Sequence, residues 1–198
     1  MANTRNKWAV TFNAPSVLVF SLIAVAALVV NFFTAGAANR LFFSVYRASM
    51  SDPLTYLRFV GHVFGHANVQ HLVGNLMIVL LLGPSIERRY GSGRIVLVMV
   101  TTALVTGIVH FIFLPGTALL GASGIAFSFI ILSSLVGFRN KEIPVTFILV
   151  TILYLGEQIY GLFTKDSVSQ LTHILGGVCG LVIGSFLYRG PRPRRRHR

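Results

Sequence analysis

LLGASGIAFSFIILSSLVGF, residues 119–138, runs for twenty residues without a charged side chain. A helix that crosses the roughly 30 Å hydrocarbon core of a bilayer needs about that many apolar residues. Near its start the run places a hydroxyl, Ser123, in the string Gly121-Ala122-Ser123-Gly124, where no neighbour is bulkier than a methyl. The run decides the fold class, and the serine raises the question of function.

Working outward, the rest of the chain repeats the pattern. Of its 198 residues, 54% are hydrophobic and only 11% charged, against about 25% charged in a soluble domain. Six long apolar runs lie near 15–34, 62–83, 95–114, 119–138, 143–163 and 170–188. Each is expected to be helical, because hydrocarbon offers no partner to an unpaired peptide group. The prediction is therefore an all-α, polytopic membrane protein. Residues 1–14 form an N-terminal tail, 15–188 a bundle of six transmembrane helices, and 189–198 a basic tail. The connection from Gly36 to about Gly61 is long and mixed in polarity, and reads as a partly helical loop at the membrane surface. Arg5 and Lys7 before the first run, with Ala35-Gly36-Ala37 after it, also fit a cleavable signal peptide. The length of the run favours a retained helix. The single cysteine, Cys179, excludes an intramolecular disulfide and a cysteine-based metal site.

Basic residues outnumber acidic ones 17 to 5, for a net charge of +12. In a six-helix chain, Arg5, Lys7, Arg88, Arg89, Arg94, Arg139 and Lys141 share one side with the tail RGPRPRRRHR. Arg40, Arg47, Arg58 and Lys165 are left on the other. The positive-inside rule then makes both termini cytoplasmic. Next to a final span, the basic tail fixes topology and meets anionic headgroups, so nucleic acid is not an expected partner.

With that orientation the second, fourth and sixth helices run inward from the outer face. Their outer ends bring His62, His66 and His71, then Ser123, then His173 to similar shallow depth, where polar groups are costly and usually mark function. A serine hydroxyl needs a base to become a nucleophile, and His173 is suited by its near-neutral pKa. Gly121 and Gly124 thin the fourth helix beside Ser123. Gly176 and Gly180, spaced as GxxxG, let the sixth approach it. His71 and Asn75 share one face of the second helix and can donate to an oxyanion, as can free N–H groups near Ser123 at a helix start. No carboxylate is placed to orient His173, so a Ser123–His173 dyad is predicted rather than a triad. Ile125 stands where a GxSxG elbow needs glycine, which excludes an α/β-hydrolase reading. Each element has a plain structural counterpart: Gly-x-Ser-Gly packs helices, His173 can bond a carbonyl, and His71 with Asn75 can bridge helices. Their coincidence at one depth favours catalysis.

The strings HVFGHANVQHLVGN (62–75), ERRYGS (87–92), GASG (121–124) and HILGGVCG (173–180) together resemble a rhomboid intramembrane serine protease, from Arg58 to Gly180. The resemblance implies Ser123 as nucleophile, His173 as general base, and His71, Asn75 and the Ser123 amide as oxyanion hole. It also implies that His62 and His66 organise the outer end of the second helix and admit water. Because hydrolysis consumes water, a polar vestibule to the outer face is expected, lined by histidines and the Gln70 amide. Glu87, Arg88 and Arg89 would stabilise the cytoplasmic end, and Arg58 would anchor the first loop. Leu57, where the family's loop motif has tryptophan, and Thr172, before the dyad histidine, are departures. Glu157 and Tyr160 on the fifth helix are a candidate lateral gate, although Glu157 equally suits an interfacial position.

The expected activity is hydrolysis of single-span membrane proteins near the outer face, with membrane lipids as surroundings and with neither cofactor nor metal. A bacterial inner membrane suits the minimal six-helix form, and no oligomeric state is assigned. Two alternatives differ in class. One is a transporter or metal-handling protein using His62, His66, His71 and His110, for which His62 and His66 have i, i+4 spacing but no HExxH motif. The other is a catalytically silent relative that binds membrane helices, which the presence of both dyad members argues against.

Overall fold

A computed structural model of the chain describes residues 12–135 and 167–187, together with Val145, Ile148, Leu149, Ile152, Leu153 and Gly156 between them. In chain order the elements are α1 (Pro15–Phe33), α2 (Ala37–Phe42), α3 (Pro53–Gly61), a 3-10 turn (His62–Phe64), α4 (Val69–Tyr90), α5 (Ser92–Phe113), α6 (Ser123–Leu135) and α7 (Ser167–Leu187). Among the described residues, α1, α4, α5 and residues 170–187 of α7 are long and apolar enough to cross a membrane, and α6 is a shorter apolar helix. The span expected at 143–163 falls largely outside the described residues.

Local chemistry sets the helix starts. Pro15 and Pro53 occupy the first turns of α1 and α3, where a missing N–H costs nothing. The Asp52 side chain caps α3 by accepting from Leu54 N at 3.0 Å. The connection from Gly36 to Gly61 is partly helical, as its mixed polarity suggested, and it is pinned from within. Arg58 is 3% exposed. It donates from Nε to Leu41 O at 3.0 Å, pairs with Asp52 at 3.2 Å, and lies over the Tyr46 ring.

The second span differs from the expected 62–83. His62–Phe64 form a separate 3-10 turn, Gly65 is extended, and the helix begins only at Val69. The cause is Asn68, whose side chain accepts from His71 N at 2.9 Å and so starts α4 seven residues late. At the far end α4 continues to Tyr90 because Ile86, Glu87 and Tyr90 are buried against neighbouring helices.

Helix α6 occupies the centre. It packs along α7 over its length and against α4 on another side, while α1 backs α4 and α5 backs α7. Val17, Val79, Ile86, Ile95, Val98, Ile125, Phe129 and Leu132 form the buried core. The α6–α7 contact is backbone on backbone: Gly176 abuts the Gly124 carbonyl, and a Cβ on Gly180 would lie 2.5 Å from Ser128 O. Val19, Leu22, Leu81, Leu97 and Phe113 point outward and are more than half exposed. That surface suits lipid and would be an aggregation liability in water. At one end of the bundle the Glu87 carboxylate accepts from Ser16 N (3.0 Å), Val17 N (3.1 Å) and Ser92 Oγ (2.6 Å). It thereby caps α1, complements that helix dipole and ties α1 to the α4–α5 turn. The sequence grouped Glu87 with Arg88 and Arg89, which are instead exposed.

Candidate active site

A cavity of about 310 Å³ opens where α4, α6 and α7 meet, lined by His71, Asn75, Ser123, Phe127 and His173 together with Gly74, Ile78, Leu119, Leu120 and Ala126. The five polar or aromatic groups come from five different turns of three helices. Each is placed by a local device.

Ser123 is the first residue of α6. The chain reaches it through Gly121 at φ +125°, a left-handed conformation that L side chains rarely adopt. A Cβ there would also lie 2.8 Å from His71 Nε2, so the backbone demands glycine and any side chain would push on the His71 ring. The approach is fixed by Gly121 N donating to His62 O at 2.9 Å and by the Val45–Leu119 bridge, paired both ways at 2.9 and 2.8 Å. First-turn amides of α6 have no carbonyl one turn earlier, so the serine sits among donors able to face an anion.

His71 and Asn75 stand one turn apart on α4, set by the Asn68 cap. Behind Asn75 lies His66. Its Nδ1 is 3.1 Å from Phe64 O, which makes that nitrogen the N–H donor and leaves Nε2 an acceptor. Asn75 Nδ2 donates to this Nε2 at 3.1 Å, and Ala122 N approaches it at 3.4 Å. The carboxamide is therefore held with its nitrogen toward His66. The His66 and His71 rings meet edge to face at 5.1 Å. On α7, His173 lies against the Phe127 ring, centroids 4.2 Å apart.

Thus Ser123, His173, His71 and Asn75 share one cavity, whereas His62 and His66 do not line it. Both are fully buried, and His62 Nε2 donates to Ala103 O at 3.1 Å. They lie behind the cavity wall. Gln70 is exposed at the start of α4. The His62–His66 pair does not share a helix face, because the chain leaves helical geometry between them. Among the described residues no group of three or more His, Cys, Asp or Glu side chains is placed to hold a metal ion, and the four histidines of the metal-handling alternative do not converge. Glu157 and Tyr160 lie outside the described residues.

The sequence reading missed Phe127. Its only signal was the i, i+4 spacing from Ser123, which puts both on one face of α6. It also missed Leu119 and Leu120, which enter the cavity wall through a bridge between residues 74 positions apart.

The family model described as Rhomboid domain matches residues 53–190. The chain is 28% identical to "Rhomboid-related protein 2" of Mus musculus over 86% of this chain and 64% of that protein. It is 31% identical to "Rhomboid-related protein 1" of Caenorhabditis elegans over 64% of this chain and 38% of that one. It is 29% identical to "Putative rhomboid protease YdcA" of Bacillus subtilis (strain 168) over 70% of each. The chain thus spans less than two thirds of the mouse and nematode proteins.

Proposed function

Because this chain belongs to the rhomboid family and is an integral membrane protein, we propose that it is an intramembrane serine endopeptidase working through a Ser123–His173 dyad. The observation that carries this reading is that two side chains fifty positions apart in the sequence line one cavity, together with His71 and Asn75.

In the proposed reaction His173 takes the proton of the Ser123 hydroxyl as its oxygen attacks the scissile carbonyl. The oxyanion is met by Asn75, by His71 and by the Ser123 amide as hydrogen-bond donors. His173 returns the proton to the leaving amine. Water then attacks the acyl carbonyl, giving its proton to His173, and His173 returns that proton to the Ser123 oxygen as the acyl group leaves as a carboxylic acid. Phe127, whose ring lies against the imidazole at a 41° tilt, restrains its orientation during the transfers.

The substrate class is a single-span membrane protein cut near the outer face. Its helix must unwind locally before a carbonyl is accessible, so glycine or proline near the cut, costing about 1 and 3 kcal/mol in a helix, would favour cleavage. The reading includes a six-helix topology with both termini cytoplasmic, supported by the distribution of arginines and lysines, and a bacterial inner membrane, which the minimal six-helix form suits. Substrate entry past Glu157 and Tyr160 belongs to the same proposal.

Purified wild-type protein is expected to cleave a single-span reporter and to be labelled by a fluorophosphonate at Ser123. Ser123→Ala and His173→Ala are each expected to abolish cleavage while the protein remains folded. Undiminished cleavage by purified Ser123→Ala would end the proposal.

A further inference from the structure

Residues 65–68 join the 3-10 turn to α4 without regular structure, and they include His66, whose ring lies behind Asn75. Such a stretch must find partners for its buried peptide groups outside its own backbone. Among the described residues no backbone N–H donates to His66 O. Asn39 Nδ2 does so instead, at 3.0 Å. Asn39 belongs to α2, in the connection whose mixed polarity suits the membrane surface.

Asn39 is itself firmly seated. Its backbone N–H donates to Asn31 Oδ1, near the end of α1, at 2.9 Å. Its own Oδ1 is buried and meets no donor among the described residues. An unmade buried acceptor is costly, so the N–H to His66 O governs which way the amide faces. Turned over, it would set oxygen against oxygen. Two glycines let the end of α2 come this close. Gly61 and Gly65 abut the carbonyls of Phe42 and Phe43, and a Cβ at either position would press on main chain.

From His66 the hydrogen bonds continue inward. With Nδ1 donating to Phe64 O, Nε2 is an acceptor, and it takes the Asn75 Nδ2 donor at 3.1 Å. Asn39 thus grips the backbone of the residue whose imidazole orients the Asn75 carboxamide. We propose that Asn39 is a positioning residue for the reaction: by holding the His66 carbonyl it fixes the imidazole that aims the Asn75 amide at the oxyanion. This role rests on the peptidase reading and adds to it a control point on α2. Asn39 does not line the cavity, so it acts only through His66. A donor that is present but misdirected forfeits part of the roughly 10²- to 10³-fold that an oxyanion donor supplies. One lost orienting hydrogen bond corresponds to about tenfold.

The test uses the full chain, purified, with kcat and KM measured on a single-span reporter and active molecules counted by fluorophosphonate labelling. Asn39→Ala is expected to lower kcat about tenfold with KM unchanged, because the aimed donor is used in the transition state. In an Asn75→Ala background the same change should lower kcat less than about twofold, since no carboxamide remains to be aimed. Tyr46→Phe removes the 3.1 Å hydrogen bond from Tyr46 Oη to Arg40 O on α2 without touching His66, and should keep wild-type kcat. Wild-type kcat in Asn39→Ala would overturn the proposal. So would a tenfold loss that recurs undiminished in the Asn75→Ala background, or an equal loss in Tyr46→Phe. With Ser123→Ala inactive, those outcomes leave the peptidase reading standing. Undiminished cleavage by Ser123→Ala ends that reading and the role of Asn39 with it. Melting curves establish folding, and if Asn39→Ala does not fold, Asn39→Ser, whose hydroxyl is one bond too short for His66 O, is held to the same outcomes.

Discussion

Replacing Gly176 by alanine tests whether the α6–α7 contact sets the dyad geometry. An alanine Cβ at 176 would lie 2.8 Å from Gly124 Cα and would also press on the Gly124 carbonyl. Carbon atoms pack comfortably at about 3.5–4.0 Å, so the two backbones must separate by about 1 Å. Neither side can yield by rotating a side chain, because both contacting groups are main chain. Gly176 is one turn beyond His173 on α7, and Gly124 is the residue after Ser123, so the displacement falls on the dyad itself. A misplacement of about 1 Å costs on the order of 100-fold in rate, whereas overpacking costs about 1–3 kcal/mol of stability. Gly176→Ala is therefore expected to remain folded, with kcat/KM for a single-span reporter reduced about 100-fold. Its labelling by a fluorophosphonate at Ser123 should slow in parallel. Val178→Ala, on the lipid-facing side of the same helix, serves as control and should behave as wild type. A Gly176→Ala protein with wild-type kcat/KM would refute the claim that this contact positions the dyad.

Removing the Asn75 carboxamide with Asn75→Ala should lower kcat by about 10²- to 10³-fold with little change in KM, the signature of a lost oxyanion donor; a loss confined to KM would contradict that role. Gly121→Ala combines a φ of +125° with a Cβ 2.8 Å from His71 Nε2, and backbone strain of about 1–3 kcal/mol is expected. Cleavage should fall sharply in Gly121→Ala, and an unchanged rate would show that His71 need not hold its position. Glu87→Ala leaves two α1 amides and the Ser92 hydroxyl without their acceptor, at about 1–3 kcal/mol for each buried group. Its melting temperature should drop while kcat per folded molecule is preserved, and an unchanged melting temperature would count against the carboxylate as the clasp between α1 and α5.

What the sequence determined by itself follows from solvent. Apolar runs as long as 15–34 and 95–114 must be helices wherever no water can satisfy the backbone, and α1 and α5 match them within a few residues. The candidate site residues were legible for a related reason: Ser123, His71, Asn75 and His173 are polar groups in apolar surroundings, where each is costly. Tertiary structure decided what depends on long-range fit. A hydrophobic run could not reveal that Asn68 would cap α4 and leave His62 and His66 outside it. Nor could it reveal that His66 would turn inward to hold the Asn75 amide, or that Glu87 would choose two amides of α1 over its neighbouring arginines. The place of Phe127 in the cavity wall was hidden too. In each case the partner lies on another helix, and hydropathy fixes where a helix runs but not which of its faces meets which neighbour.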